Sequence, residues 1–217
     1  MSDNNALPRL SHTPDKLVLL SEEFSPLFVD FNSTTVQKRR EEGKKQGLVR
    51  ACKPTKGMRI LDATGGWGRD AAVLASFGAE VLMLERQPIM AALLADGLNR
   101  LQPDSGLALS LVHMDAIDYL QSLADTDFPD VIYIDPMHPV RQKSALVKKD
   151  MQVLQRLIGS DLDVGVLIQL AVTRTRQRVV VKWPQRLPAV LKPDASITGK
   201  TVRFDIYLSL DKLHTKK

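Results

Sequence analysis

The feature that most constrains this chain is a recurring unit. A short apolar run ends at or just before an acid, and a helical stretch follows. Met58–Ala63 runs into Asp62 and a glycine cluster, and Ala79–Glu85 (AEVLMLE) ends on Glu85. Leu107–Met114 is followed by Asp115, and Val131–Asp135 ends in Asp-Pro. The stretches between them read as helices: Arg69–Phe77, Pro88–Arg100 with proline at a helix start where its missing N–H costs nothing, and Asp115–Leu123 with Asp at the N-cap. A further helix is expected over Ala145–Ile158 and a β-branched strand over Arg178–Trp183. A closing hairpin is expected from Ser196–Thr198 and Val202–Leu210 around Gly199-Lys200. Strands alternating with helices at this spacing predict a mostly parallel sheet with helices on both faces. Such sheets bind ligands beyond the carboxyl ends of their strands, so the residues just after each strand are the candidates for function.

Composition narrows the chemistry. The chain has 217 residues, enough for one domain with a full core. The one cysteine, Cys52, excludes an internal disulfide and a cysteine metal site. The four histidines, His12, His113, His138 and His214, are too scattered to predict a metal centre. No apolar run approaches the ~18 residues of a membrane span. Met1 to Leu10 is polar, without an apolar stretch of signal-peptide length. A cytoplasmic, metal-free protein without a membrane partner is the expectation.

Lys and Arg total 30 against 25 Asp and Glu, for a net charge of +5. The excess is segregated. Residues 36–59 hold nine basic residues and two acidic ones, and six basic residues (Arg174, Arg176, Arg178, Lys182, Arg186, Lys192) stand in a stretch with no acid. With Arg141 to Lys149, these make three candidate tracks for a phosphate backbone, which gives affinity and salt dependence rather than sequence choice. Charge runs are equally often plain solvated faces. Residues 1 to about 25, with the patch Leu17-Val18-Leu19-Leu20, read as an arm or small N-terminal element.

Four strand-end places carry the chemical argument. In Asp62-Ala63-Thr64-Gly65-Gly66-Trp67-Gly68-Arg69-Asp70, the glycines allow a tight turn and close approach of a ligand, as they would in any strand-to-helix turn. Asp62 before them suits a cationic or amine-bearing ligand and would repel a pyrophosphate. Glu85 is placed to bind two ribose hydroxyls, which fits a dinucleotide and S-adenosylmethionine equally. Asp115 can accept from an exocyclic amine such as adenine N6, beside the Ala116 N–H, or can simply cap its helix. In Asp135-Pro136-Met137-His138-Pro139, two prolines fix the backbone. Asp135 and a fixed Pro136 carbonyl then form an acceptor pair for a planar amine, and His138 could stack on a base. Trp67 and Trp183 could stack on bases or serve as core.

Together these places predict an S-adenosylmethionine-dependent methyltransferase acting on an exocyclic nitrogen of a planar base. An adenine-N6 or amide-nitrogen target fits the same acceptor pair. A nicotinamide-dependent oxidoreductase on the same kind of sheet fits less well, since it gives Asp62 no role. A non-catalytic RNA-binding module would not need acids at all four strand ends.

The same residues resemble a known family, the bacterial ribosomal RNA small subunit methyltransferase J enzymes. The matching segments are Val29-Asp30-Phe31, LDATGGWGRDAAVLASFGAEVLMLER (61–86), VIYIDPMHPVRQKSALVKKDM (131–151), RVVVKWP (178–184) and RFDIYL (203–208). The resemblance implies a Rossmann-like class I S-adenosylmethionine methyltransferase fold, with a mostly parallel seven-stranded sheet, helices on both faces and a C-terminal antiparallel hairpin. It implies methylation of guanine N2 in 16S ribosomal RNA, on naked RNA or the small ribosomal subunit. Carried onto this chain, its cofactor motifs fall on Arg69-Asp70, Glu85-Arg86, Asp115-Ala116 and Asp135, to which Asp62, Gly65, Gly66 and Gly68 are added from the glycine loop. Asp135, Pro136 and His138 are the expected catalytic group, with His138 standing where family members tend to have Phe. Arg39, Arg40, Lys44, Lys45, Arg141, Lys143, Lys148, Lys149 and Lys182 are the expected RNA contacts. The division expected is an arm and basic segment over 1–57, the methyltransferase domain over 58–211 and a basic tail over 212–217.

Overall fold

A computed structural model describes residues 8–21, 24–137 and 163–210. The first strands, β1 (Arg9–His12), β2 (Leu17–Ser21) and β3 (Phe24–Leu27), form a three-stranded antiparallel sheet of their own. The short apolar patch of the arm is β2, whose Leu17, Val18 and Leu19 are buried. Two helices follow, α1 (Thr34–Glu42) and α2 (Gly47–Cys52). Ser33 caps α1 by accepting the Val36 N–H. Val29, Phe31, Val36, Leu48 and Cys52 join the core of the large sheet, so the basic segment is threaded through the main hydrophobic cluster.

The recurring unit follows as expected: β4 (Arg59–Asp62), α3 (Arg69–Ala75), β5 (Glu80–Glu85), α4 (Pro88–Asn99), β6 (Ala108–His113), α5 (Ala116–Ser122) and β7 (Val131–Ile134). Pro88 opens α4 and Asp115 caps α5, its carboxylate accepting the Ile117 N–H at 2.8 Å. After residue 163 come α6 (Val164–Thr173), β8 (Arg178–Pro184), β9 (Ala195–Thr198) and β10 (Val202–Leu208). The helix expected over 145–158 lies outside the described residues.

The seven-stranded sheet has the order β6-β5-β4-β7-β8-β10-β9. The strands from β4 to β8 run parallel, and β10 is antiparallel to both β8 and β9, which gives the mostly parallel sheet and closing hairpin expected. Strand order reverses between β4 and β7, and the crevice at their carboxyl ends is where such sheets take ligands.

Two-residue alternation sorts the strands' side chains. Ile60, Val81, Met83, Tyr133, Val180 and Phe204 pack on one face, toward α1 to α4. Leu61, Leu84, Ile132, Ile134, Val179 and Val181 pack on the other, toward α5 and α6. Continuing the first set by two residues places Asp62, Asp135 and Lys182 on that face, just where the strands end.

The amino ends of the strands are stitched by polar contacts. Asp130 accepts from the Arg59 N–H at 2.9 Å and from the Gln177 amide at 3.3 Å. The Arg59 guanidinium reaches the Asp127 carbonyl, and Arg176 reaches the Thr126 carbonyl. Arg174 pairs with Asp125 at 3.6 Å and lies over the Phe128 ring. Arg59, Arg174, Arg176 and Arg178 therefore sit at the end of the sheet opposite the crevice. Of the candidate tracks over 38–59 and 174–192, only part of each run shares an end with the crevice, because a parallel strand carries its two ends to opposite edges of the sheet.

Candidate functional site

A cavity of about 440 Å³ opens at the carboxyl ends of the strands, a size usual for small-molecule sites. Asp62, Gly65, Gly66, Gly68, Arg69, Asp70, Glu85, Arg86, Asp115, Ala116, Asp135 and Pro136 all line it, so the strand-end residues picked out in the sequence converge on one place. His138, Arg141, Lys143, Lys148 and Lys149 lie outside the described residues.

The glycine loop turns β4 into α3. Gly66 and Gly68 have φ of +52° and +67°, which favours glycine. A methyl group on Gly65 would lie 3.0 Å from the Leu84 carbonyl, and one on Gly68 would lie 2.7 Å from the Phe31 ring. The loop is thus pressed between β5 and the segment before α1. Glu85 fastens it from the side: one oxygen accepts the Gly66 N–H at 2.9 Å and the other accepts the Gln87 N–H at 2.8 Å. Burial raises the Glu85 carboxyl, against the pull of those two backbone donors. A carboxylate offers about four lone-pair sites, so these bonds leave room for a hydroxyl from the cavity.

Asp62 is 1% exposed. Its Oδ1 accepts from the Thr64 N–H at 3.1 Å and hydroxyl at 3.4 Å. Burial pushes its carboxyl up to about 8, with Asp70 and Asp135 adding to the rise and Thr64 opposing it. Thr64 is a latch that sequence reasoning missed, because its Oγ also accepts the Asp135 N–H at 2.7 Å and so ties the first strand end to the fourth. Asp115 accepts its own helix's N–H and faces Arg86 at 3.5 Å, and Arg86 also reaches Asp163 at 3.7 Å. Leu84, Met114, Ile117, Met137, Val164 and Leu167 supply an apolar lining.

Asp70 behaves differently from the other acids. Its Oδ1 is 2.6 Å from the Arg39 guanidinium, and its Oδ2 takes Lys182 Nζ at 3.2 Å and the Tyr133 hydroxyl at 2.5 Å. Burial alone would raise this carboxyl, but Lys182 and Arg39 outweigh it and hold it well below the usual carboxylate range. Lys182 Nζ also lies 2.6 Å from Asp135 Oδ2. Burial works to lower the ammonium, yet Asp135 and Asp70 keep it above the usual lysine range. Arg39 is held in turn by Gln46, which accepts from its Nε at 3.3 Å.

Arg39 and Lys182, expected on a surface track for RNA, thus line the cavity as partners of Asp70 and Asp135. Lys44 and Lys45 are exposed beyond the end of α1, and Arg40 is half-buried on it. Tyr133 is a second residue missed in the sequence, although a tyrosine in an aliphatic buried strand needs a partner for its hydroxyl. Trp67 is buried within the loop and lines the cavity, with Arg69 over its ring, and Trp183 donates its indole N–H to the Pro188 carbonyl.

A cavity with carboxylates at each strand end, backbone donors in a glycine loop and an apolar wall suits a ligand with cationic and hydroxyl groups on a flat apolar body. S-adenosylmethionine has those parts. Comparison with known proteins points the same way. Residues 1–209 match a family model described as "Putative SAM-dependent methyltransferase". The chain is 62% identical over 208 residues to ribosomal RNA small subunit methyltransferase J of Legionella pneumophila strain Corby, covering 95% of this chain and 86% of that protein. It is 46% identical over 198 residues to the protein of the same name from Nitrosococcus oceani, covering 85% and 77%. Among solved structures, a SAM-dependent methyltransferase from Neisseria gonorrhoeae superposes with a TM-score of 0.74 at 32% identity, over 97% of this chain and 86% of that one. An rRNA methyltransferase from Streptomyces viridochromogenes shares the fold, at 13% identity, 84% and 88% coverage and a TM-score of 0.50.

Proposed function

From the premise that the chain belongs to the ribosomal RNA small subunit methyltransferase J family of SAM-dependent methyltransferases, we propose that it methylates the exocyclic N2 of a guanine in 16S ribosomal RNA. The observation that carries this reading is the Asp135-Pro136 pair on the wall of the same cavity that Asp62, Glu85 and Asp115 line. S-adenosylmethionine supplies an electrophilic methyl group on a sulfonium when bound. In this reading Asp62 and the glycine loop hold its amino acid portion, Glu85 its ribose and Asp115 with Ala116 its adenine.

Guanine N2 is a poor nucleophile because its lone pair is delocalised into the ring. The Asp135 carboxylate and Pro136 carbonyl accept its two N–H bonds, which draws the nitrogen toward tetrahedral geometry. Orientation of the amine within the cavity gives most of the acceleration. The positive charge that develops on nitrogen is favoured by the Asp135 carboxylate and the Pro136 carbonyl, and the proton that the nitrogen then sheds passes to Asp135 or to water. The base has to leave any stack to reach the cavity, and Lys44 and Lys45, with Arg40, hold the flanking phosphates. Arg141, Lys143, Lys148 and Lys149 belong to the same proposal on sequence grounds.

The test is transfer of tritiated methyl from S-adenosylmethionine to 16S RNA and to 30S particles from cells lacking the activity, followed by nucleoside analysis. Label in N2-methylguanosine is expected. Label in N6-methyladenosine, or none in either substrate, overturns the reading. With the purified protein, S-adenosylhomocysteine and not NADH should raise the melting temperature.

A further inference from the structure

A lysine sits among the acids of the site, and its surroundings are unusual for a structural one. Lys182 stands at the carboxyl end of β8, in line with Asp135, because Ile134 pairs with Val181 in the register of β7 and β8. Its ammonium lies against two carboxylates, Asp135 at 2.6 Å and Asp70 at 3.2 Å. Asp70 is itself fixed by Arg39, Tyr133 and its place on α3. The loop that follows β8 is pinned as well, since Arg203 donates to the carbonyls of Pro184, Gln185 and Leu187 and pairs with buried Asp205. An ammonium partly withdrawn from water is costly unless its partners are held in place, and here Asp70 is the held partner from which the lysine reaches across to Asp135.

We propose that Lys182 is a positioning residue that, anchored by Asp70, holds the Asp135 carboxylate in the one orientation in which it accepts from the entering amine. This rests on the reading of Asp135 as the acceptor for that amine. The peptide of Asp135 is already fixed by its N–H to Thr64 Oγ. Lys182 restricts the turning of the side chain through Oδ2. Arg39 and Tyr133 act one step further out, by keeping Asp70 from following Lys182. Such an arrangement affects the rate of methyl transfer more than the affinity for the cofactor, because among the described residues Lys182 bonds to Asp70 and Asp135 and not to Glu85 or Asp115.

The experiment measures single-turnover methyl transfer and S-adenosylhomocysteine affinity on the full chain for Lys182→Met, Lys182→Arg, Asp135→Asn and the Lys182→Met/Asp135→Asn pair, with melting curves to report folding. Lys182→Met is expected to slow turnover about 30-fold or more, with cofactor affinity within about threefold of the parent. Lys182→Arg, which keeps the charge, should recover at least about tenfold of that loss. The double variant should be no slower than Asp135→Asn alone, since Lys182 acts through Asp135. The inference is overturned if Lys182→Met turns over at the parental rate, if its loss lies in cofactor affinity, or if the two effects multiply. Should Lys182→Met fail to fold, Lys182→Gln and its pair with Asp135→Asn decide by the same criteria. Parental turnover by Asp135→Asn is a different failure, because it removes the acceptor reading itself.

Discussion

The two ends of the sheet are both rich in charge, yet they use it in opposite ways. At the amino ends, Asp130, Arg59, Arg176 and Thr175 bond mainly to backbone N–H and carbonyl groups of neighbouring loops. At the carboxyl ends, Asp70, Lys182, Arg39 and Asp135 bond to one another, around a cavity. The first pattern closes loops. The second keeps charged groups concentrated and oriented where a ligand enters, although holding them out of water is unfavourable. Charge that pairs with charge beside a cavity is therefore the better mark of function in this molecule than charge density along the chain.

The contrast can be broken by treating the two ends alike. Asp70→Ala leaves Lys182 and Arg39 without their shared carboxylate. A loss of about 3 kcal/mol of stability is expected, somewhat below a fully buried pair because both cations are partly exposed, together with a fall in turnover of about tenfold or more. Asp130→Ala removes the hydrogen bonds to Arg59 and Gln177 and should cost about 1 kcal/mol with turnover unchanged. Denaturant melts and single-turnover rates on both variants decide, and equal effects on turnover would erase the distinction.

The acids also give the carboxyl end an opposed dependence on pH. Asp62, raised to about 8 when folded, contributes stability that is full below about pH 4 and is lost as pH rises through about 8. Asp70 is depressed, so its contribution is present above about pH 4 and is lost as pH falls below that. Melting temperatures of the ligand-free protein between about pH 6 and 9 should drop more for the parent than for Asp62→Asn, by roughly 3 °C or more. Parallel curves would mean that Asp62 does not take up its proton on folding.

The smallest effect concerns RNA. Replacing Lys44 and Lys45 by alanine should lower the slope of log affinity against log salt by roughly 0.7–0.9 for each phosphate that they neutralise. Replacing Arg174 and Arg176 should leave the slope alone, because they lie at the other end. Filter binding over a salt series reads both, and a change in slope for the arginines would extend the RNA path around the molecule.

The strand ends were legible because apolar runs closed by Asp62, Glu85, Asp115 and Asp135 have one simple reading, and topology then brings them together. The N-terminal sheet was not, since β1 and β3 have four residues each and only β2 is apolar enough to stand out. Lys182 and Arg39 were visible as basic residues, but a charge carries no label for inside or outside. For Lys182 the signal was present in the alternation of Val180 and Lys182 on one face of β8. For Arg39 there was none, because its partner lies across the fold on α3. The position of the arginines at 174–178 was not legible for the converse reason: a run of like charges says nothing about which end of a strand each one occupies.

The fit of Phe31 beneath Gly68 has a consequence for the order in which the protein is built. Val29 lies where a side chain on Gly97 would have to be, and Phe31 touches both that glycine and the one in the loop. During synthesis the segment around Phe31 emerges well before Gly97 exists to receive it. Its packing on α4 can form only after α4 has been made. The floor beneath the cofactor-side loop thus joins an early segment to a later helix, and the cavity closes only when the still later strand ends that carry Asp135 and Lys182 arrive.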